Sequence, residues 1–221
     1  MSQTDPQFLA RRRDMVDRQL RFRGIGCPKL LAAFSETPRE LFIPPERQHE
    51  AYDDCPVPIG FGQTISQPYV VALMIQELDV QPGHTVLDVG AGSGYQTALL
   101  ARLARHVYAV ERIAELADRA REVLAGLGVT NFTLGTQDGS LGWPEHAPFD
   151  RIICGAAALD VPQAWVDQLA DGGKIVLPLG AEYAQMLVLV ERRGERILRR
   201  ELCGVRFVRL IGRGDGAWPE R

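Results

Sequence analysis

Short apolar runs alternate with stretches of helical periodicity through the middle of the chain. The runs are β-branched and predict strands buried in a sheet. They cover 85–89, 106–110, 132–135 and 149–154. After the first run, Ala98, Leu99 and Leu103 share one face of a helix predicted over 95–104. This alternation predicts an α/β fold, a doubly wound and mostly parallel sheet with helices on both faces.

The N-terminal part of the chain has helical periodicity of its own. Apolar residues among many charges predict an amphipathic helix over 6–23 that ends at Gly24. Its apolar stripe consists of Phe8, Leu9, Met15, Val16, Leu20 and Phe22. With further helices predicted at 28–35 and 69–78, this part is expected to form an N-terminal helical cap on the sheet.

The C-terminal part is typical of paired strands. A strand is predicted at 174–177, and two more, at 186–190 and 196–202, turn at Arg193-Gly194. We therefore expect a C-terminal antiparallel hairpin beside the parallel strands. We interpret residues 1–221 as one domain, in which a helical segment of about 6–80 precedes an α/β core of about 84–211.

A glycine-rich turn joins the strand at 85–89 to the next helix. Gly90, Gly92 and Gly94 permit positive φ and leave no Cβ to keep a ligand off the backbone. We also expect free N–H groups at the start of the helix to face that ligand. A dinucleotide site has the spacing G-x-G-x-x-G, which would need a third glycine where Tyr95 stands. The turn therefore predicts a nucleoside cofactor and disfavours a dinucleotide.

Polar and small residues follow the other predicted strands at the same edge of the sheet, where ligands bind in such folds. Glu111 ends the strand at 106–110, and its carboxylate can accept hydrogen bonds from both ribose hydroxyls. Asp138 can accept a hydrogen bond from an adenine amino group, and Gly139 would let the ring lie close. An ordinary Asp-Gly turn explains this pair equally well. Small residues at 155–158 would let a substrate approach the backbone.

The segment 51–62 contains prolines and glycines that break any regular element. An ordered loop of this length is usually functional. It leads into 63–68, where Ser66 or Gln67 is placed to cap a helix that has Pro68 in its first turn. The residues alone favour a helix cap as the only role of Ser66.

Composition narrows the classes of partner. A formal net charge of -3 gives no general attraction to nucleic acid or to anionic membranes. The cysteines form no C-x-x-C pair and the histidines have no ligand spacing, so no disulfide framework and no metal site are predicted. No stretch approaches the roughly 18 apolar residues of a membrane span, and the N-terminus lacks an apolar signal core. We therefore expect a cytoplasmic protein.

Together, these motifs resemble the protein-L-isoaspartate O-methyltransferase family over about Leu9 to Ile211. The most specific of them, residues 58–68, reads PIGFGQTISQP and is similar to the family's PIGxGQTISQP signature. Further matches are Pro38-Arg39-Glu40-x-Phe42, the glycine turn, Val110-Glu111-Arg112, Asp138-Gly139, Ala147-Pro148-Phe149-Asp150 and Val205-Arg206-Phe207-Val208. The resemblance implies a Rossmann-like class I methyltransferase that binds S-adenosylmethionine.

The resemblance also implies roles for individual residues. Ser66 becomes a catalytic hydroxyl rather than only a cap, and the segment of about 6–80 lies on the substrate side. The implied cofactor contacts are Asp88, Gly90, Gly92, Gly94, Glu111, Asp138 and Gly139. The implied substrate contacts are Ile59, Gln63, Thr64, Ala156, Ala157 and Val205.

The implied reaction moves a methyl group to the free α-carboxylate of an L-isoaspartyl residue, giving a methyl ester that initiates the repair of damaged proteins. A carboxylate is already ionised near neutral pH, so it needs no general base. The Ser66 hydroxyl is expected to donate a hydrogen bond to it. Isoaspartyl proteins and peptides are the expected partners, S-adenosyl-L-homocysteine is the expected product, and we expect a monomer.

Two departures from the family pattern leave the acceptor open. The family commonly has proline at the positions of Ala158 and Arg209, so a methyltransferase of this fold acting on another carboxylate or a small metabolite is the alternative. Tyr95 disfavours a nicotinamide oxidoreductase, and the intact 63–68 stretch disfavours a non-catalytic cofactor-binding protein. Beyond the resemblance, Arg213-Gly214-Asp215 mimics an adhesion tripeptide, for which chance is the simpler interpretation.

Overall fold

A seven-stranded sheet lies at the centre of the computed structural model, which describes residues 5–181 and 184–219. The α-helices are α1 (Pro6–Asp14), α2 (Pro28–Glu36), α3 (Pro68–Leu78), α4 (Tyr95–Ala101), α5 (Ala114–Gly126) and α6 (Gln163–Asp167). The strands are β1 (Val57–Gly60), β2 (Gln63–Ile65), β3 (Thr85–Val89), β4 (His106–Glu111), β5 (Phe132–Thr136), β6 (Phe149–Cys154), β7 (Leu169–Ala181), β8 (Ala184–Arg193) and β9 (Arg196–Val205). The strand order in the sheet is β5-β4-β3-β6-β7-β8-β9.

The sheet is parallel from β5 to β7 and antiparallel from β7 to β9. The predicted doubly wound, mostly parallel sheet with a C-terminal hairpin is therefore confirmed. From β3 the chain runs outward through β4 to β5, and then returns to place β6 on the other side of β3. The carboxyl ends of β3 and β6 form the switch point of the topology, where ligands bind in sheets of this kind.

Strand β7 begins earlier than predicted. Its pairing with β6 is irregular between Phe149 and Arg151, and the segment that bends there contains Gly172, whose φ is 72°. Glycine allows the strand to bulge and continue instead of ending. The Gly172-Gly173 pair is thus a bend within β7 rather than the turn before it.

The N-terminal helix changes its pitch along its length. After α1 it continues as a π-helix over Met15–Leu20 and as a 3-10 helix over Arg21–Arg23, and it ends at Gly24 with φ 92°. Met15 and Leu20 are buried as predicted, but Phe22 is 89% exposed. The prediction for Phe22 is wrong because a stripe drawn at a constant 3.6-residue period does not follow the altered pitch.

A small hairpin begins within the segment predicted to be irregular, 51–62, and its second strand follows that segment. Strands β1 and β2 pair antiparallel, with Val57 opposite Ile65, and Phe61 in the turn between them has φ 54°. The carbonyl of Ile59 accepts a hydrogen bond from Arg119 Nη2 of α5 at 2.8 Å. This contact holds the hairpin against the α/β core, beside the glycine turn.

A buried ionic cluster fixes the N-terminal helix to the rest of the chain. The Arg12 guanidinium donates to Glu40 Oε1 at 2.9 Å and to the Tyr52 hydroxyl at 2.7 Å. The side chains of Arg12 and Glu40 are each 6% exposed, and Tyr52 also donates to Glu40. Since an unpaired buried charge is strongly unfavourable, each member of the cluster depends on the others.

We expect Arg12→Met to lower the free energy of unfolding by about 3–5 kcal/mol, because it leaves the Glu40 carboxylate buried without its cationic partner. The exposed pair of Arg18 with Asp14 supplies the control, and Arg18→Met should lower it by less than about 1 kcal/mol. Urea unfolding of both variants measures the difference. Similar losses in the two variants would contradict this role of the buried cluster.

Asp88 lies in β3 and is fully buried beneath the glycine turn. Its carboxylate accepts hydrogen bonds from Gln96 Nε2 at 2.7 Å and from Thr97 Oγ1 at 2.6 Å. Burial raises the pKa of Asp88 to about 6, although these two hydrogen bonds act in the opposite direction. Asp88 therefore anchors the first turn of α4 to the strand that precedes the glycine turn.

The raised pKa of Asp88 implies a pH-dependent loss of stability. The pKa of Asp88 is 3.8 in the unfolded chain and about 6 in the folded protein, so the folded state binds this proton more tightly. As the pH rises from about 4 to about 6 the proton is lost, and the free energy of unfolding therefore falls. Relative to wild type, Asp88→Asn should therefore gain up to about 3 kcal/mol in unfolding free energy between about pH 4 and pH 7. Urea unfolding at intermediate pH values tests this, and a difference that does not change with pH would contradict it.

Candidate active site

The glycine turn after β3 is held by the end of β4. The N–H groups of Gly90 and Ala91 donate to Val110 O at 2.9 and 3.0 Å, and Gly94 N–H donates to Ala91 O at 2.8 Å. Gly90, Gly92 and Gly94 have φ values of 77°, 55° and 86°, which favour glycine. These three N–H groups are used within the chain, so Gly90, Ala91 and Gly94 offer no free donors to a ligand.

Glu111, the last residue of β4, ties the turn to the strand. Its buried carboxylate accepts hydrogen bonds from Gly92 N–H and from Ile113 N–H, both at 2.9 Å. A carboxylate can accept about four hydrogen bonds, so capacity remains for two further donors such as a pair of hydroxyls.

Gly139 lies close to the strands beneath it. A Cβ at this position would be 2.6 Å from Val89 Cγ1 and 2.9 Å from Val110 Cγ2, so only glycine fits. The carbonyl of Gly139 accepts a hydrogen bond from Trp165 Nε1 at 2.9 Å. The absence of a Cβ therefore lets the backbone at Gly139 pack directly on β3 and β4, beside the glycine turn.

Two adjoining cavities open at the switch point. The first, which we call the inner cavity, lies at the carboxyl ends of β3 and β4. It is lined by Gln63, Thr64, Val89, Gly90, Gly92, Val110, Glu111, Arg112, Ile113, Gly139, Gly155, Ala156, Val208, Arg209, Leu210 and Ile211. Glycine backbone, apolar side chains, one buried carboxylate and the polar or cationic residues Gln63, Thr64, Arg112 and Arg209 therefore surround it.

The second cavity, which we call the outer cavity, is larger and lies between the β1–β2 hairpin and the C-terminal strands. It is lined by Pro56, Gly62, Gln63, Thr64, Ser66, Gln67, Val70, Gly155, Ala184, Gln185, Gly204, Val205, Arg206, Phe207, Val208, Arg209 and Ile211. Within 5–181 and 184–219, its lining includes no carboxylate and no imidazole. The two cavities share Gln63, Thr64, Gly155, Val208, Arg209 and Ile211.

Ser66 lines the outer cavity and does not cap a helix. The cap of α3 is Gln67, which makes no side-chain hydrogen bond to the helix. The carbonyl of Ser66 accepts a hydrogen bond from Arg39 Nη2 at 2.7 Å. The buried Arg39 guanidinium also lies over the Tyr95 ring, 4.8 Å from its centroid. Arg39 therefore links the segment that contains Ser66 to the first residue of α4, behind the glycine turn.

The structure brings most of the predicted site residues to these cavities. Among them, Gly90, Gly92, Glu111, Gly139 and Ala156 line the inner cavity, Ser66 and Val205 line the outer cavity, and Gln63 and Thr64 line both.

The remaining predicted residues lie behind the cavity walls. A Cβ at Gly94 would be 3.1 Å from Ala120 Cβ, so this glycine allows α5 to pack closely. Ala157 is fully buried, and its backbone holds the wall formed by 208–210. Ile59 is buried beside Gly92, Asp88 lies under α4, and the Asp138 carboxylate bonds to Ser140 and Arg213.

Several residues that line the two cavities are not among the predicted site residues. Leu210 and Ile211 line the inner cavity but lie beyond the last predicted strand, where the sequence gives no signal. Gln185 accepts a hydrogen bond from Phe207 N–H at 2.7 Å and lines the outer cavity. Gln185 directly precedes the apolar run at 186–190, which is a usable signal because a buried amide must be hydrogen-bonded.

Two classes of site find no support in the part of the chain that the structure describes. It contains no group of three or more His, Cys, Asp or Glu side chains able to hold a metal ion. None of its helices combines the length and the apolar character needed to cross a membrane.

Known sequences align with nearly the whole chain. The sequence model of the protein-L-isoaspartate(D-aspartate) O-methyltransferase family matches residues 10–215. A protein-L-isoaspartate O-methyltransferase of Methanoregula boonei is 50% identical over 202 residues, covering 91% of this chain and 93% of the relative. Its counterpart in Syntrophus aciditrophicus is 49% identical over 209 residues, covering 93% and 96%.

Solved structures agree with these sequence matches. One protein-L-isoaspartate O-methyltransferase superposes with a TM-score of 0.81 at 27% identity. The superposition covers 89% of this chain and 65% of that longer chain. A putative member from Plasmodium falciparum, in complex with S-adenosyl-L-homocysteine, superposes with a TM-score of 0.78 at 28% identity, covering 89% of this chain and 96% of that one. This chain therefore belongs to the protein-L-isoaspartate(D-aspartate) O-methyltransferase family.

Proposed function

We propose that this chain transfers a methyl group from S-adenosylmethionine to the free α-carboxylate of L-isoaspartyl residues in damaged proteins and peptides. The observation that carries the proposal is the junction of the two cavities at Gln63 and Thr64. A donor in the inner cavity and an acceptor in the outer cavity would meet there. Family membership and the relatives' names support the choice of donor and acceptor.

The inner cavity fits the adenosyl part of the donor. Backbone at Gly90, Gly92 and Gly139 lines this cavity, and a Cβ at Gly90 would project into open space, so a flat ring could lie against the turn. Glu111 has accepting capacity for the ribose hydroxyls. When bound, S-adenosylmethionine supplies a methyl group on a positively charged sulfur. Glu111 and the glycine turn would hold that group toward the outer cavity.

The outer cavity suits an acceptor that is already an anion. A peptide carboxylate is ionised at neutral pH, so its oxygen can take the methyl group without first losing a proton. The described lining therefore needs no general base, and it contains no carboxylate that would repel the acceptor. The chain's main task is alignment, which can contribute about 7–11 kcal/mol to lowering a barrier in favourable cases.

We assign alignment of the acceptor carboxylate to the hydroxyl of Ser66. Arg39 fixes the backbone of Ser66 from behind, so the hydroxyl is presented from a rigid segment. Gln63, Thr64, Ala156 and Val205 would form the groove around the acceptor, supported from behind by Ile59 and Ala157. Asp88, Gly94 and Asp138 would support the donor site in the same indirect way.

This assignment gives the two parts of the chain different roles. Within one domain, the segment of about 6–80 would supply the acceptor side, and the core of about 84–211 would bind the donor. A monomeric state, a cytoplasmic location and the absence of nucleic-acid or membrane partners stay predictions of the sequence.

We expect wild-type protein to methylate an L-isoaspartyl peptide and to leave the L-aspartyl peptide of the same sequence unmodified. Ser66→Ala should lower kcat/KM on the isoaspartyl peptide by about 10- to 100-fold, the value of one hydrogen bond to a charged group. Transfer of labelled methyl groups to matched peptides measures both effects.

For the serine test, Ser35→Ala is the control, because the Ser35 hydroxyl donates to Leu31 O within α2 and Ser35 lines neither cavity. Wild-type kcat/KM in Ser66→Ala would disprove the aligning role. Methylation of neither peptide by a protein that binds the donor would favour the alternative, another carboxylate or a small metabolite as acceptor.

Glu111→Ala should raise the Kd for S-adenosyl-L-homocysteine by about 10- to 100-fold, because two charge-assisted hydrogen bonds to the ribose are lost. Calorimetry measures this Kd. Glu115→Ala, on the exposed face of α5, serves as the matched control and should bind like wild type. Equal affinity of Glu111→Ala and wild type would remove the ribose assignment.

A further inference from the structure

The segment 212–218, which we call the C-terminal latch, continues directly from one wall of the inner cavity. Leu210 and Ile211, which line that cavity, immediately precede it. The latch closes on itself, because Gly212 N–H donates to Trp218 O at 3.0 Å and Trp218 N–H donates to Leu210 O at 2.7 Å. The cavity wall and the latch therefore form one connected unit.

The latch is bonded to the opposite wall, at the turn that contains Gly139. Arg213 N–H donates to Asp138 Oδ2 at 2.8 Å, and Gly214 N–H donates to Ser140 Oγ at 2.9 Å. The fully buried Ser140 donates in turn to Asp138 Oδ1 at 2.6 Å. Gly139 lies between these two residues, so the latch holds the backbone that faces the inner cavity.

The latch lies so close to the turn at 138–140 that two of its positions require glycine. A Cβ at Gly212 would overlap Asp138 Oδ1 and Ser140 Oγ, and a Cβ at Gly214 would lie 2.7 Å from Ser140 O. Real Cβ atoms do not approach other atoms so closely. Glycine at both positions is therefore required for the latch to lie against the turn.

The far end of the latch is fixed as well. The Asp215 carboxylate accepts hydrogen bonds from Gln163 N–H, at the start of α6, at 3.1 and 3.2 Å. The carbonyl of Gly216 accepts a hydrogen bond from Leu159 N–H at 2.6 Å. Together with the bonds of Arg213 and Gly214, these contacts show that each residue of the Arg-Gly-Asp tripeptide is hydrogen-bonded to the rest of the chain.

We propose that the C-terminal latch is a positioning element of the donor site, and that its closed form and the bound donor stabilise each other. The latch joins the wall at Gly139 to the wall at Leu210 and Ile211, so it sets the spacing in which the donor would lie. Coupling of this kind acts in both directions: the latch raises donor affinity, and the donor keeps the latch closed. The inference rests on the proposed function only for the identity of the donor.

The first test measures binding of S-adenosyl-L-homocysteine by calorimetry in full-length variants. Gly212→Ala and Gly214→Ala should raise its Kd at least about tenfold, while the KM for the isoaspartyl peptide at saturating donor stays within about twofold. Gly126→Ala is the matched control, because a Cβ at Gly126 meets nothing within 4 Å. It should bind like wild type.

Unchanged Kd values in both latch variants would overturn the proposal, even if the variants were less stable to heat. Failure of wild-type protein to bind S-adenosyl-L-homocysteine would instead overturn the donor assignment, and the coupling with it. The two failures are therefore distinguishable.

The second test uses the wild-type chain and does not depend on how the variants fold. The Arg213 side chain is 77% exposed within the latch, whereas the Arg193 side chain, at the β8–β9 turn, is 68% exposed and remote from the latch. Saturating S-adenosyl-L-homocysteine should slow tryptic cleavage after Arg213 at least about tenfold and leave cleavage after Arg193 unchanged. Equal effects at the two bonds, or none at Arg213, would overturn the coupling.

Discussion

The site depends on the hydrogen bonds that tie the glycine turn to the end of β4. Val110 O accepts from Gly90 and Ala91, and the Glu111 carboxylate accepts from Gly92, so the turn is drawn toward its neighbouring strand. Positive φ at the glycines makes this path possible without strain. The consequence is a cavity with a bare backbone floor and a carboxylate at its edge, directly at the switch point of the sheet.

A second constraint brings the segment that contains Ser66 to this cavity. The N-terminal segment is attached through buried arginines rather than through apolar packing alone. Arg12 pairs with Glu40, and Arg39 joins Ala51 and Ser66 through their carbonyls. Guanidinium groups suit this task because their rigid fork can reach two acceptors at once. The backbone of Ser66 is therefore held against the α/β core.

Sequence reasoning succeeded where a local pattern decides the structure. The apolar runs predicted the strands of the parallel sheet, and the position of Glu111 at a strand end placed its carboxylate beside the glycine turn. It failed where the geometry departs from a regular period, as for Phe22 in the N-terminal helix. Within 63–68, the choice between a helix cap and a site residue for Ser66 needed the family signature, since both uses require the same residue type.

Contacts between distant segments could not be predicted from local patterns. Hydrogen bonds join Arg213 and Gly214 to Asp138 and Ser140, which lie more than 70 positions earlier in the chain. No periodicity encodes such a contact, and the tripeptide itself suggested only chance. Similarly, Arg39 belongs to one of the family motifs, but its contact with the carbonyl of Ser66 depends on the folded path of the intervening hairpin.

The most direct measurement is a crystal structure of the protein with bound S-adenosyl-L-homocysteine. We predict that the adenosyl group lies in the inner cavity between Gly139 and Ile211, that the ribose hydroxyls bond to Glu111, and that the sulfur faces the junction near Thr64. A ligand bound outside the inner cavity, or one whose sulfur faces away from the outer cavity, would contradict the assignment of the two cavities to donor and acceptor.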